Sequence, residues 1–95
     1  MKQYKIVIEE EALDDLFSIK HYITTQDTAS KANKFLSELK AQIETLHEMP
    51  QRCRKSYYTQ EPNTHDLIYK KYTIVFQIQK DTIHILTIFR QRNLV

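Results

Sequence analysis

The sequence predicts an α+β domain ordered β-α-α-β-β-β, an antiparallel sheet of about four strands with a helical hairpin packed on one face. Three observations carry this. Tyr72, Ile74, Phe76 and Ile78 recur at period 2, and so do Ile83, Ile85 and Phe89. Such alternation puts side chains on one face of a pleated strand, and the β-branched and aromatic residues suit it. Two earlier stretches carry apolar residues at helical spacing instead. Residues 51–65, between the two regions, hold no sustained period and read as a loop.

Taken in order, Lys5 to Glu9 is a short first strand. Glu9, Glu10 and Glu11, then Asp14 and Asp15, suit the positive end of a helix dipole. Helix one covers about 10–25, with Ala12, Leu13, Leu16, Phe17, Ile19 and Ile23 at helical spacing. Asp27 or Thr28 caps the next helix. Helix two runs from about Thr28 to Glu48, and Ala32, Phe35, Leu36, Leu39, Ile43 and Leu46 form its narrow stripe. Pro50 stops it, because the residue before a proline avoids the α region. A helical hairpin cannot bury its stripe alone, so it lies on a sheet. Three strands follow from about His65 to Gln91, with Lys80-Asp81 as a tight turn between the last two. Val75, Leu86 and Ile88 make the opposite faces partly apolar, as in strands partly covered on both sides.

The totals exclude several functions. With 95 residues the chain reads as one domain, 1–95, burying about 60–65% of its unfolded surface. It has no glycine, so phosphate-cradling Gly-rich loops are absent, and turns at positive φ fall to Asp81, Asn63 or Asn93. One cysteine, Cys53, excludes an internal disulfide and a cysteine-rich zinc site. His21, His47, His65 and His84 lack metal-site spacing, so neither a metal nor a small-molecule cofactor is expected. No apolar run approaches the roughly 18 residues of a membrane span, and the first residues do not read as a signal peptide. A cytoplasmic protein is the expectation.

The net charge of +2 hides an asymmetry. Residues 1–48 hold 6 basic and 9 acidic side chains, net −3; residues 49–95 hold 8 and 3, net +5. All four arginines lie in the second part, which favours an anionic partner there. Arg52, Arg54 and Lys55 follow helix two, and Arg90 and Arg92 close the last strand. If the loop folds over the sheet, these make one cationic patch. Guanidinium forks suit phosphate or carboxylate. Two uses stay open: binding a partner through Arg52, Arg54, Lys55, Arg90 and Arg92, or stabilising the charge of a phosphorane in ribonuclease chemistry through Arg90 and Arg54, with His65 as general base. The plainer reading of His65 is a polar residue at a strand start. Cys53 stands between two arginines, a setting that lowers a thiol pKa, but no paired base is evident. Tyr57 and Tyr58 either stack on bases or pack the loop onto the sheet.

Four landmarks then stand in order. They are A-L-D-D-L-F-S-I-K-H-Y-I in helix one, the stripe of helix two, M-P-Q-R-C-R (Met49 to Arg54), and L-I-Y-K-K-Y-T-I-V-F-Q-I followed by I-H-I-L-T-I-F-R-Q-R. Together they resemble the RelE/ParE superfamily of type II toxin–antitoxin toxins over nearly the whole chain. The resemblance implies a growth-inhibiting toxin neutralised by a cognate antitoxin. His65 stands where members usually carry arginine, Phe89 where many carry histidine, and no tyrosine follows Arg92. These departures lean to the ParE side, associated with DNA gyrase rather than RNA cleavage. The alternative is a RelE-like endoribonuclease acting on the ribosome and its mRNA; a third reading is a degenerate, non-toxic binding module.

Overall fold

The computed structural model describes residues 3–90. Strand β1 (Lys5–Ile8) leads into α1 (Glu10–Gln26), whose first turn carries Glu10 and Glu11 at the positive end of its dipole. Helix α2 (Ala29–Glu44) opens at Thr28, whose Oγ1 accepts a 3.1 Å hydrogen bond from the Lys31 N–H; Thr28, not Asp27, is the cap. The helix is shorter than its stripe suggests. It tightens after Glu44 into a 3₁₀ turn, Thr45–His47, and a second turn begins at Pro50. Strands β2 (Arg54–Lys55), β3 (Thr64–Tyr69), β4 (Tyr72–Gln79) and β5 (Thr82–Arg90) follow.

The α+β class and the hairpin-on-sheet arrangement are as expected, but the sheet has five strands, in the order β1-β5-β4-β3-β2, and is mixed. β1 runs parallel to β5, Ile6 beside Ile83 and Ile8 beside Ile85, while the other pairs are antiparallel. Alternation reveals which face a residue takes and nothing about its neighbouring strand. The fifth strand, β2, is two residues long, too short to show a period, and lies in the segment read as a loop.

A register shift corrects one face. Val75 pairs with Thr87 and Phe76 with Ile85, so Leu86 is an extra residue in β5. The bulge reverses the alternation beyond it. Ile88 therefore joins Ile83 and Ile85 in the core, and Phe89 turns to the other face. Asp15 of α1 holds the bulge, its Oδ2 accepting from Thr87 Oγ1 at 2.8 Å and Ile88 N–H at 2.9 Å.

The core joins Ala12, Leu16 and Ile19 of α1 and Leu39 and Ile43 of α2 to Ile74, Phe76, Ile83 and Ile85 of the sheet. Leu13 and Phe17, read with the apolar face of α1, point outward instead; Phe17 is 71% exposed. Positive φ falls on Asn63, as expected, but also on Lys70 and Lys80, the first residues of the two-residue turns joining β3 to β4 and β4 to β5. Asp81 is spared. A left-handed non-glycine residue costs about 1–2 kcal/mol, which the flanking ladders offset here.

Candidate partner-binding site

The residues singled out from the sequence divide between two faces of the sheet. Arg54 pairs in register with Asp66, and Lys55 with His65. Neighbouring strand positions alternate, so Asp66 and His65 point to opposite faces. The His65 ring stacks on Phe76 at 5.6 Å, on the helix side, and its Nδ1 lies 3.1 Å from the Cys53 carbonyl. A carbonyl only accepts, so Nδ1 is the donor in this contact.

Asp66 faces the other way. Its side chain is wholly buried; its Oδ2 accepts from Arg54 Nε at 3.3 Å and from the Tyr57 N–H at 3.1 Å, and Arg54 Nη2 lies in ion-pair contact with it at 3.3 Å. The Arg54 guanidinium lies 4.0 Å from the centre of the Tyr57 ring. One buried carboxylate thus seats the chain after β2 on the sheet face opposite the helices. Ser56 adds to the seat: its N–H donates to the Thr64 carbonyl and its Oγ accepts from the Tyr58 N–H. The Tyr58 ring meets Phe89 edge-on at 4.8 Å. Tyr58 packs the loop onto the sheet, whereas Tyr57 stays exposed over Arg54.

The remaining cations lie apart. Arg52 donates from Nη1 to the Met49 carbonyl at 3.1 Å and from Nη2 to Thr45 Oγ1 at 2.7 Å, closing the turn after α2. Lys55 is exposed on the edge strand. Arg90 pairs with Tyr72 at the far end of β5 and reaches back to α1, where Nη1 donates to the Tyr22 hydroxyl at 3.1 Å. The single patch expected of the arginines therefore does not form among the described residues: Arg90 leans to the helix side, Arg54 to the opposite face. Arg92 lies outside the described residues.

Burial pushes the Cys53 thiol up, against the opposing pull of Arg52, so the activation its flanking arginines suggest is not realised. Burial likewise pushes the Tyr72 phenol up, with Arg90 pulling the other way. The Tyr69 hydroxyl donates to Glu38 at 2.9 Å, and Lys70 lies 3.2 Å from the same oxygen; these hydrogen bonds hold the Glu38 carboxyl below its ordinary value and lift Lys70. His84 is half-buried, its Nδ1 2.9 Å from Glu9 Oε2. Sequence reasoning missed Tyr22 and Asp66, the partners that position Arg90 and Arg54. Asp66 left a signal: a carboxylate inside an apolar strand is rare unless paired.

The sequence model described as the ParE toxin of the type II toxin–antitoxin system parDE matches residues 6–95. The chain belongs to this family. The fold agrees. A chain of a chromosomal ParDE toxin–antitoxin system from P. aeruginosa superposes with a TM-score of 0.82 at 18% identity, covering 95% of this chain and 98% of that one. The toxin–antitoxin complex RelBE2 from Mycobacterium tuberculosis gives 0.69 at 17% identity, covering 96% and 94%. No curated protein matches the sequence. The sequence model places this chain in the ParE toxin family of the RelE/ParE superfamily, and both solved structures share its fold.

Proposed function

We propose that this ParE-family toxin acts in the cytoplasm by binding DNA gyrase without cutting RNA, and that a cognate antitoxin neutralises it. The observation that carries this is the use made of the last strand. Phe89, at the place where a proton-transfer group would precede Arg90, packs its ring against Tyr58. Arg90 leans on Tyr22 on the other side of the sheet. Arg54 is matched by Asp66 and Arg52 by main-chain carbonyls. Ribonuclease chemistry asks for a base, an acid and a cationic clamp around one phosphate. Inhibition of a protein needs only shape and charge at a surface, which aromatic rings and cations supply.

An antitoxin that lays a helix in a groove or adds a strand has two sheet edges to use, β1 and β2. The ribonuclease alternative draws on one observation, the hydrogen bond that engages His65 Nδ1 with the Cys53 carbonyl and so orients the ring. Expression without antitoxin is the test. DNA-damage signalling and filamentation should appear while translation continues, and purified gyrase should lose supercoiling activity. In a purified translation system, codon-phased mRNA cleavage that disappears with Arg90→Ala or His65→Ala would overturn the gyrase reading and establish the ribonuclease.

A further inference from the structure

We infer that the outer face of α1 docks a second copy of this chain, helix against helix and antiparallel. The helix turns Ala12, Leu16 and Ile19 to the core and leaves another stripe in solvent. That stripe is Glu10, Leu13, Phe17 and Lys20, all exposed. Steps of three, four and three residues keep these side chains on one face. They are also the steps of a helix-pairing seam. Phe17 is 71% exposed and Leu13 43%, so the middle of the seam is apolar and uncovered. One exposed apolar side chain is ordinary on a surface, whereas two neighbours at seam spacing form a contact patch.

The order of residues along the stripe names the occupant. It runs acid, apolar, apolar, base, and laid backwards against itself it is its own complement. Residues 13 and 17 lie equally far from residue 15, and so do residues 10 and 20. An antiparallel second helix centred at that height therefore sets Leu13 against Phe17 of the other copy, twice, and Glu10 against Lys20 of the other copy, twice. Both charges are free to do this: among the described residues no ion pair engages Glu10 or Lys20. A parallel arrangement would place Glu10 beside Glu10 and Lys20 beside Lys20, so charge fixes the orientation. The antiparallel one also opposes the two helix dipoles, each acidic start lying against the cationic half of the other helix. A uniformly acidic segment would meet Glu10, Glu11 and Asp14 at one end of the stripe, and a uniformly basic one would meet Lys20 at the other. Only a helix with the same order of charge satisfies both ends, and α1 itself is that helix. The contact is two-fold and isologous, so it closes at a dimer.

The dimer is weak. One helix pair with four apolar side chains at its centre falls short of the roughly 1,200–2,000 Å² that stable interfaces bury. Asp14 flanks the seam near its own copy across the two-fold axis, and that repulsion lowers affinity further. The two chains therefore associate at high concentration and separate on dilution.

This inference goes beyond the toxin reading. Its test reads mass in solution rather than growth or gyrase activity, so either reading can fail alone. Sedimentation velocity of the full chain over a concentration series should show monomer passing to dimer and nothing larger. Phe17→Glu, at a position already open to water, should keep the chain monomeric throughout, with unchanged melting. Glu10→Lys and Lys20→Glu should each weaken dimerisation by about tenfold, because each turns two attractions into two repulsions. The double variant exchanges the charges and should restore the dimer, which misfolding of the single variants would not allow. Tyr57→Ser, on the sheet face opposite the helices, should change nothing. The inference is overturned by a chain that stays monomeric at every concentration, by association that survives Phe17→Glu, by a double variant that fails to restore it, by loss of association in Tyr57→Ser, or by a monomeric chain whose antitoxin binding Phe17→Glu abolishes.

Discussion

Arg54 and Asp66 make an asymmetric pair, and the asymmetry predicts which loss is worse. Arg54→Ala strands a wholly buried carboxylate with only the Tyr57 N–H as donor. Removing one partner of a buried pair costs about 3–5 kcal/mol. Asp66→Ala leaves a guanidinium that is 33% exposed and can turn to water, so the loss is that of its charged hydrogen bonds, about 1.5–3 kcal/mol. The double variant should be little worse than Asp66→Ala, since no charge is then left buried alone. Urea denaturation followed by circular dichroism measures all three, and a constant slope shows that the unfolding reaction has not changed. A small domain holds about 5–15 kcal/mol in total, so Arg54→Ala should sit near its unfolding limit. Asp66→Ala costing more than Arg54→Ala, or two losses that add within about 0.5 kcal/mol, would refute the assignment of the buried carboxylate as the seat of the loop.

Leu39→Ala should lower stability by about 2–5 kcal/mol in the same assay, because it empties a fully buried site between α2 and the sheet. Arg90→Ala should change stability by less than about 1 kcal/mol, since the strand-end charge is exposed, yet weaken toxicity in a growth assay; unfolding with unchanged toxicity per folded molecule would make Arg90 structural. Glu38 has its folded pKa held below the unfolded value, about 4.3, so its stabilisation is complete above that value and is lost as pH falls through the folded one. Glu38→Gln should therefore flatten the acid side of a melting-temperature profile, and an unchanged profile would remove the Tyr69–Glu38 link from the stability of the domain.

The parts that were legible in the sequence are those with a period. The stripe of α2 and the alternation of β4 depend on residues near in sequence, and Leu39, Ile43, Ile74 and Phe76 are buried accordingly. The face of Phe89 was misread because a bulge changes the period by one residue while leaving composition intact. The outward turn of Phe17 was hidden because helical spacing alone does not set how wide the buried face is. Lysine at positive φ runs against turn preference, which names Asn, Asp and glycine. Most was lost at the arginines. Their number and clustering were visible, but not that Asp66 neutralises one, Tyr22 receives another and carbonyls hold a third, because those partners come from distant elements.

The parallel pairing of β1 with β5 also sets a clock. His84 and Glu9, which meet across that junction, are 75 residues apart in sequence. At about 5–20 residues per second of synthesis, β1 waits about 4–15 s for the strand that completes it. For the part of that interval after Glu44 is made, the helical hairpin exists without its sheet, and Leu39 and Ile43 lack the strands they pack on in the finished fold. The whole fold therefore closes late, only once its last strand has been made.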